Sequence, residues 1–474
     1  MVRCKKTKIV CTMGPSTDSD QVLKELIENG LNVCRFNFSH GSHEEHKERM
    51  DRTKRVREEL DQPVAILLDT KGPEIRTGEF EEPVVLEEGA KFVVSMDDCI
   101  GNSQRCSVSY KGMIDDVKVG DTILIDDGLV GLKIEEIKGN DIHTVVANSG
   151  KVSSRKGVNL PGVSINLPAI TEKDIEDAKF MLDNEFDWIA LSFVRHAQDI
   201  KDLKDLIQNH TNGKQNTPII AKIEKPEGVE NMDEILRECD GIMVARGDLG
   251  VEIPMEEVPV VQKKLVEAAR NHARPVIIAT QMMETMINSL TPTRAEVNDV
   301  ANSVLDGADA VMLSGETSVG KYPVDVIKNM AKIVSNIEKD KLYMSSNKPI
   351  EKIQTEEEDR YITDMVCYSA VRIAKKANAK GIITLTNSGY TAFQISAHRP
   401  HAHIIVFCSD RRVLAKLNLL WGVRAFYYDM QKSTDETVIQ VNMLASNYGF
   451  VKQGDFVVNL NAMPVYESGK TNTL

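Results

Sequence analysis

The sequence predicts an α/β protein: a (β/α)8 TIM barrel that carries an inserted small all-β barrel domain and is followed by a C-terminal α/β domain. Eight strand-and-helix units can be counted when the segments on both sides of one interruption are taken together. The interruption, from about residue 72 to 168, consists of short alternating strands with Gly and Asp turns. Polar side chains follow nearly every strand of the alternating part. Because the carboxyl ends of barrel strands converge on one face, this pattern favours a barrel over an open, doubly wound sheet.

The predicted division of the chain is a barrel from 1–71 and 169–346, a β insert from 72–168, and a C-terminal α/β domain from 347–474. A chain of 474 residues is too long for one ordinary hydrophobic core. Both joints of the insert, TKGPEIRTG and RKGVNLPGVSINLP, are rich in Gly and Pro, which is typical of hinges between domains.

Apolar periodicity places the individual elements in chain order. Before the insert, strands are predicted at 8–13, 33–38 and 64–68, separated by helices at 19–29 and 43–60. The alternation resumes after the insert, with strands at 188–194, 219–223, 241–245, 275–279 and 310–313. A charged joint near 347–360 opens the third region, whose strands are predicted at 381–386, 404–407, 423–428 and 456–460.

Composition excludes several classes of function. The net charge of -13 argues against a nucleic-acid partner bound on a basic face. No apolar run approaches the ~18 residues that a membrane-spanning helix needs, so no membrane partner is expected. The eight cysteines lack C-x-x-C pairs and metal-ligand spacing, which predicts reduced thiols in a cytoplasmic protein.

The stretch from Ile219 to Pro254 carries the strongest chemical pattern. Lys222 and Glu224 interrupt a buried strand, and residues two apart in a strand point to the same face. Asp248 follows the next strand. Two carboxylates at neighbouring strand ends suit Mg²⁺, and a lysine point charge stabilises a transferring phosphoryl group. The plain alternative is a pair of solvated turn acids with a surface lysine.

A second cluster follows the strand predicted at 33–38. Arg35, Asn37 and Ser39 alternate, so all three are expected on one strand face. Arginine suits bidentate contact with a phosphate group. The histidines at 40, 43 and 46 have a spacing that invites a zinc site, but Ser42-x-x-Glu45 is a capping box, and a helix start is the favoured interpretation.

Three later strand ends also carry polar residues. The turn predicted at Arg246-Gly247-Asp248-Leu249-Gly250 can present backbone N–H groups to an anion. Thr280 and the Ser314-Gly315-Glu316-Thr317 segment add hydroxyls and another acid, although such residues are more often caps or turns.

In the third region, Thr386-Asn387-Ser388-Gly389-Tyr390-Thr391 follows a strand and opens a helix. It suits a phosphate cradle, and an ordinary capped turn is the alternative.

Taken together, these segments resemble the pyruvate kinase family. The resemblance is carried by RFNFSHG, LDTKGPEIRTG, KGVNLPG, AKIEKPEG, MVARGDLGVE, IIATQMMETM, PTRAEVNDVANSVLDGAD and LSGET, and it covers essentially the whole chain. It implies transfer of the phosphoryl group of phosphoenolpyruvate to ADP, giving pyruvate and ATP in the last step of glycolysis. It also implies a lid formed by the insert, a C-terminal α/β domain and a homotetramer. The C-terminal domain is expected to serve oligomerisation and to bind a phosphorylated allosteric effector, which the TNSGYT segment suggests.

The resemblance assigns roles to individual positions. Mg²⁺ (or Mn²⁺) is assigned to Glu224 and Asp248, and K⁺ to Asn37, Ser39, Asp69 and Thr70. Phosphoenolpyruvate is assigned to Arg35, Lys222, Gly247, Asp248 and Thr280. The nucleotide is assigned to Asn37, Phe38, Ser39, His40, Arg76 and Lys156. Catalysis is assigned to Lys222, Arg35, Arg76 and Thr280. The candidate effector site, which rests on its own hydroxyls and glycine and not on the resemblance, is the segment Thr386, Asn387, Ser388, Gly389, Tyr390 and Thr391. Glu74 matches the form of the family associated with K⁺ dependence.

Two other functions remain open at the level of sequence. A metal-dependent lyase or aldolase acting on a pyruvate enolate would need Mg²⁺ but neither ADP nor Lys156. A non-catalytic regulatory protein would be expected to have lost Lys222, Glu224 or Asp248, and all three are present.

Overall fold

Eight parallel strands close into a barrel in the computed structural model, which describes residues 5–340, 360–430, 433–462 and 471–474. The prediction of a barrel is confirmed, and the open-sheet alternative is excluded because the first strand pairs with both the second and the last. In chain order the barrel strands are Lys8–Thr12, Val33–Asn37, Ala65–Asp69, Trp188–Leu191, Ile219–Ile223, Gly241–Ala245, Val276–Ala279 and Ala310–Leu313.

These strands are buried along almost their whole length, as expected for a parallel sheet covered on its outer face by helices. The helices that cover the barrel are Asp20–Glu28, His43–Glu59, Glu172–Asp183, Ala197–Thr211, Met232–Glu238, Val258–Asn271, Arg294–Asp306 and Pro323–Ile337. Short helices, Pro226–Glu230, Arg246–Glu252 and Gly315–Ser318, lie in the loops after three strands.

The helix His43–Glu59 begins with the capping box that the sequence predicts. Ser42 Oγ accepts from the Glu45 N–H at 3.3 Å, and a Glu45 carboxylate oxygen accepts from the Ser42 N–H at 3.0 Å. The nearby histidines serve different contacts: His43 Nε2 lies 2.6 Å from Asp177 Oδ1, and His46 Nε2 lies 2.8 Å from the His40 carbonyl. Helix initiation therefore explains this motif.

The insert is built mainly of β-strands, as predicted, with one short helix at Met113–Asp116. Its main sheet contains, in spatial order, Ile75–Arg76, Gly157–Asn159, Thr122–Ile125, Val130–Lys138, Asp141–Val146, Lys91–Ser95 and Arg105–Ser107. A second, two-stranded sheet pairs Val84–Leu86 with Gly150–Val152. The two edges of the main sheet meet where Gly78 N donates to Ser107 O at 2.7 Å and Ser109 N donates to Arg76 O at 2.9 Å. The sheet is therefore curled into a partial barrel around its own apolar core.

The insert joins the barrel through two chain crossings, each held by a barrel side chain. At the first crossing, the Gly72 N–H donates to Asp174 Oδ1 at 3.0 Å. At the second, the Arg195 guanidinium donates to the carbonyls of Ile165 and Leu167 at 2.6 and 2.7 Å. Both crossings lie within the Gly- and Pro-rich joints of the sequence, and the hinges and the domain boundaries stay predictions.

The C-terminal region is an α/β domain, as predicted, and its four strands form one parallel sheet. The strands lie in the order Val423–Tyr427, His403–Cys408, Gly381–Leu385, Val457–Leu460, and the helices are Tyr361–Lys376, Tyr390–Ala397, Arg411–Leu417 and Thr434–Asn447. This region contacts the barrel through the buried Arg399–Asp309 ion pair, at 2.6 Å. Most of the joint predicted near 347–360 lies outside the described residues. Within the described ranges, no helix is long and apolar enough to cross a membrane.

Candidate active site

A cleft of about 440 Å³ lies between the insert and the barrel. Its walls are formed by residues of the insert and of the barrel, many of them charged or polar. The insert contributes Arg76, Asp126, Asp127, Arg155, Lys156 and Asn159, and the barrel contributes Phe193, Lys225 and Asp248. The cleft thus opens where strand ends of the barrel face the insert.

Lys222 occupies the centre of the charged cluster at the carboxyl ends of the strands. Its Nζ lies 2.9 Å from Glu224 Oε1 and 3.0 Å from Asp69 Oδ1, and it donates to Ser192 Oγ at 2.8 Å. Lys222 and Glu224 therefore lie side by side, as the period-two argument predicts. Burial lowers the pKa of Lys222, but Asp69 and Glu224 outweigh burial, so the net pKa lies above its ordinary value. The ammonium stays charged.

Asp69 joins Lys222 to a second cation. Arg35 Nε donates to Asp69 Oδ2 at 2.6 Å, and Arg35 Nη1 donates to Thr12 Oγ1 at 2.8 Å. Burial raises the pKa of Asp69, but Arg35 and Lys222 together hold it below its ordinary value. Lys222 is close enough to form an ion pair with Asp69 Oδ1, but this buried oxygen accepts no aligned hydrogen bond from the described residues. An ionised oxygen of this kind suits a cation.

The charged form of the Asp248 carboxylate is disfavoured by its surroundings. Burial and, second, the negative charge of Glu224 raise the pKa of Asp248 to about 7. The other oxygen of Glu224 accepts from the Phe193 N–H at 2.7 Å, which fixes the carboxylate in place. The buried Glu224 carboxylate and the partly buried Asp248 carboxylate are a donor set that a hard divalent cation would stabilise. The residues present therefore fit the metal that the sequence predicts.

The segment that follows the strand Gly241–Ala245 is not the predicted turn. It forms the short helix Arg246–Glu252, with Asp248 in its first turn. The Gly247 N–H donates to Thr280 Oγ1 at 2.8 Å, so this N–H is already satisfied. Thr280 has a φ of +69°, a left-handed conformation that is uncommon for a residue with a β-carbon. The fold thus holds the Thr280 hydroxyl against the start of the helix.

The residues predicted to bind K⁺ lie at two adjacent strand ends. The strand ends at Asn37, so Ser39 lies in the turn beyond it and not on the strand face that the sequence predicts. Ser39 N donates to Asn37 Oδ1 at 3.2 Å. Thr70 Oγ1 accepts from the Ser192 N–H at 3.0 Å. Asn37 pairs in register with Asp69, which brings the two strand ends together.

The residues predicted for the nucleotide are divided between barrel and insert. Arg76 contacts Glu74 through two nitrogens, at 2.6 and 2.8 Å, and Lys156 Nζ lies 2.9 Å from Asp126. The Phe38 ring is buried and stacks on His46 with a centroid separation of 4.1 Å. The Phe38 side chain is therefore part of the core, which restricts a nucleotide contact at this position to the backbone.

Three residues of the cluster were not identified from the sequence: Thr12, Ser192 and Phe193. Thr12 and Ser192 lie at the ends of the first and fourth barrel strands. The rule that polar residues after barrel strands converge would have found both. Phe193 contributes only its backbone N–H, in a left-handed conformation with φ of +53°. No sequence pattern marks such a contact.

The segment 386–391 has the predicted position between a strand and a helix. Gly389 has a φ of +91° and begins the helix Tyr390–Ala397, and its N–H donates to Thr386 Oγ1 at 2.9 Å. Ser388 Oγ lies 3.4 Å from the Tyr390 N–H that donates to it. These contacts show a turn stabilised by its own hydroxyl groups, and a ligand for it stays a prediction.

Comparisons with known proteins agree with one another. The family model described as pyruvate kinase, barrel domain, matches residues 4–327, and pyruvate kinase, alpha/beta domain, matches residues 364–474. A pyruvate kinase of Clostridium acetobutylicum is 43% identical, covering 99% of this chain and 98% of its own length. One from Geobacillus stearothermophilus is 45% identical over 99% of this chain and 80% of its own length. A crystal structure of a pyruvate kinase from Cryptosporidium parvum has a TM-score of 0.91 at 38% identity, covering 98% of this chain and 95% of that one. The chain belongs to the pyruvate kinase family.

Proposed function

We propose that the cleft binds phosphoenolpyruvate on its barrel side and ADP on its insert side, and that the insert acts as a lid. Membership in the family makes the chain a phosphotransferase with pyruvate kinase activity, which forms pyruvate and ATP from these two substrates. The observation that carries the assignment of the site is the Lys222 ammonium, held between Asp69 and Glu224 at the mouth of the barrel.

The barrel side supplies fixed positive charge for the transferring group. Phosphoryl transfer requires alignment and charge neutralisation more than covalent help from the protein. Arg35 and Lys222 are both anchored by Asp69, so they do not need to reorganise when negative charge develops. We assign them, with Gly247, Asp248 and Thr280, to phosphoenolpyruvate.

Cations complete this arrangement, since the family implies dependence on a divalent metal and K⁺. Glu224 and Asp248 would hold Mg²⁺ or Mn²⁺, and Asn37, Ser39, Asp69 and Thr70 would hold K⁺. When bound, these ions neutralise negative charge on the substrate oxygens. The raised pKa of Asp248 supports the divalent site, and Asp69 Oδ1, which pairs with Lys222 but accepts no aligned hydrogen bond from the described residues, supports the K⁺ site.

After transfer, the enolate of pyruvate needs a proton. We assign its delivery to a water or hydroxyl near Thr280, whose Oγ1 donates to the Ala279 carbonyl at 2.6 Å while it accepts from Gly247. Across the cleft, Arg76 and Lys156 would hold the nucleotide phosphates, and Asn37, Phe38, Ser39 and His40 would contact it from the barrel. Closure of the lid would exclude water and so suppress wasteful hydrolysis.

The K⁺ assignment predicts that a lysine at position 74 can supply the positive charge of the bound ion. Replacing K⁺ by tetramethylammonium is expected to lower the rate of ATP formation from phosphoenolpyruvate and ADP. In Glu74→Lys, the ratio of the rate with tetramethylammonium to the rate with K⁺ is expected to lie closer to one than in the wild type. The reason is that a lysine ammonium would supply the charge of the missing ion. Both activities are measured at saturating Mg²⁺ in the same buffer.

The matched control is Glu79→Lys, which adds the same charge at an exposed insert position paired with Arg155. It is expected to keep the K⁺ requirement of the wild type. Full activity of the wild type without K⁺ would contradict the assignment. Consumption of phosphoenolpyruvate without ADP would instead favour the lyase alternative.

We propose that the segment 386–391 binds a phosphorylated effector, either a sugar bisphosphate or a nucleoside monophosphate. The left-handed Gly389 at the start of the helix and the hydroxyls of Thr386 and Ser388 support this.

Ser388→Asp is expected to abolish the rise in melting temperature that the effector produces, because the added negative charge repels the phosphate group of the effector. Ser446→Asp, on an exposed helix of the same domain, is the control. An equal rise in both variants would contradict the site.

We propose that the chain forms homotetramers. Apolar side chains are exposed on the helix Tyr361–Lys376, where Tyr361, Ile362 and Met365 are 60%, 64% and 44% exposed. Exposed apolar patches of this kind mark surfaces that contact other chains. Light scattering that gives the mass of a single chain at micromolar concentration would contradict the proposal.

We also propose a cytoplasmic location. The seven cysteines in the described ranges are free thiols, and six of them are buried. Free thiols are typical of proteins in reducing compartments. Recovery of the protein from an oxidising compartment on cell fractionation would contradict this.

A further inference from the structure

We propose that Glu252 is a positioning residue that latches the lid to the barrel through Asn159 and Lys225. The inference rests on the proposed function, since its purpose is to hold the nucleotide residues of the lid at the right place across the cleft. We define the latch as the three residues Asn159, Lys225 and Glu252.

Both hydrogen bonds of the latch end on one buried oxygen, Glu252 Oε1. Glu252 Oε1 accepts from Lys225 Nζ at 2.8 Å and from Asn159 Nδ2 at 3.0 Å. The Glu252 side chain is 1% exposed and that of Lys225 is 10% exposed. The ion pair keeps the Glu252 charge compensated inside the barrel wall, and the amide of Asn159 is the contact that comes from the lid.

On the barrel side, the latch residues lie in the same chain segments as the proposed metal ligands. Glu252 ends the helix in which Asp248 occupies the first turn, and residues four apart on a helix lie on one face. Lys225 directly follows Glu224 in the chain. Asp248 and Lys225 both line the cleft. The position of Glu252 is therefore tied to the part of the barrel that faces the substrate.

On the lid side, the latch holds the strand next to the nucleotide residues. Asn159 ends the strand Gly157–Asn159, which begins directly after Lys156. Gly157 pairs with Arg76 in this sheet. A hydrogen bond at Asn159 thus sets how far Lys156 and Arg76 lie from the barrel, and a change in that distance should affect ADP before it affects phosphoenolpyruvate.

The charge arrangement allows the hydrogen bond to be reversed. Asn159→Asp places a second carboxylate against Glu252, so the lid is repelled from the barrel. The double variant Asn159→Asp/Glu252→Gln restores a donor and an acceptor with their positions exchanged: the Gln amide donates to the Asp carboxylate. It also keeps one negative charge for Lys225. A residue that only supports the barrel would not be rescued in this way.

In steady-state kinetics, Asn159→Asp is expected to raise the KM for ADP about tenfold, the effect of losing one hydrogen bond to a charged group. The KM for phosphoenolpyruvate is expected to change less than twofold. Fluorophores on unnatural amino acids at the exposed positions Lys118 and Lys264 are expected to report a longer lid-to-barrel distance. The double variant is expected to return the KM for ADP to within about twofold of the wild-type value. It is also expected to restore the wild-type lid-to-barrel distance.

Three further variants make the test decisive. Asn140→Asp adds the same charge in an exposed lid turn and is expected to leave the KM for ADP unchanged. Asn159→Ala breaks the bond without adding charge, and it replaces Asn159→Asp if the latter does not fold. The latch is overturned if Lys156→Met raises the KM for ADP while the Asn159 variants do not, or if the double variant shows no recovery. If Lys156→Met also has no effect, the nucleotide assignment itself fails.

Discussion

Lys222→Met is expected to lower the kcat of ATP formation by ~10²–10³, the typical effect of removing one preorganised electrostatic group from an active site. The ammonium of Lys222 is charged, buried and held by Asp69 and Glu224, so it needs no reorganisation when charge develops on the transferring group. If the contact forms mainly in the transition state, the KM for phosphoenolpyruvate should change much less than kcat. Steady-state kinetics at saturating Mg²⁺ and K⁺ measures both.

The same substitution also affects stability, and the two effects must be separated. Removing one partner from a buried ion pair typically costs about 3–5 kcal/mol, because the remaining charges are left uncompensated. Urea denaturation therefore accompanies the kinetics, so that the fraction of folded enzyme is known. An unchanged kcat in the folded variant would exclude Lys222 from the chemistry.

Lys8→Met is the matched control. Lys8 is also a buried lysine of a barrel strand, but it lies at the first residue of its strand, at the opposite end of the barrel from Lys222. Its Nζ donates to the Val423 carbonyl of the C-terminal region at 2.8 Å. We expect the kcat of this variant to stay within about twofold of the wild type, since the group is too distant to act on the substrate.

Asp248→Asn is expected to lower ATP formation by at least ~10²-fold at fixed Mg²⁺, since even residues that only support metal ligands typically contribute 10–100-fold to metal affinity or activity. Glu224 would remain as the one carboxylate of the pair. Stability without metal is not expected to suffer. The substitution removes a carboxylate whose charged form is disfavoured by desolvation and by Glu224, so the melting temperature of the metal-free protein should not fall.

Metal binding gives this prediction a readout that does not depend on turnover. A cation that binds only the folded state stabilises it by mass action, so Mg²⁺ should raise the melting temperature of the wild type and not that of Asp248→Asn. Glu316→Gln is the control, because Glu316 is another buried acid at a strand end, held by the N–H groups of Met283 and Ser314. An equal response to Mg²⁺ in the wild type and Asp248→Asn would contradict the metal assignment.

Where the sequence-based predictions were wrong, tertiary packing outweighed local preference. The two glycines of the RGDLG segment predicted a turn, but it is a short helix, with Leu249 fully buried beneath it. Burial of an apolar side chain can offset the weak helix propensity of glycine. Similarly, Phe38 lies in a motif of functional residues, yet its ring fills the core against His46. Local patterns do not state which side of a turn faces the interior.

The sequence by itself determined the family, the barrel with its insert and C-terminal domain, and the strand ends on which the polar residues lie. These depend on periodicity and on motifs a few residues long, which the chain carries locally. Only the tertiary structure decided the partners: Asp69 with both Arg35 and Lys222, the Phe193 N–H with Glu224, and Asn159 with Glu252. Such pairs join residues far apart in the chain. They depend on strand register, on closure of the barrel and on the angle of the lid, which no local pattern encodes.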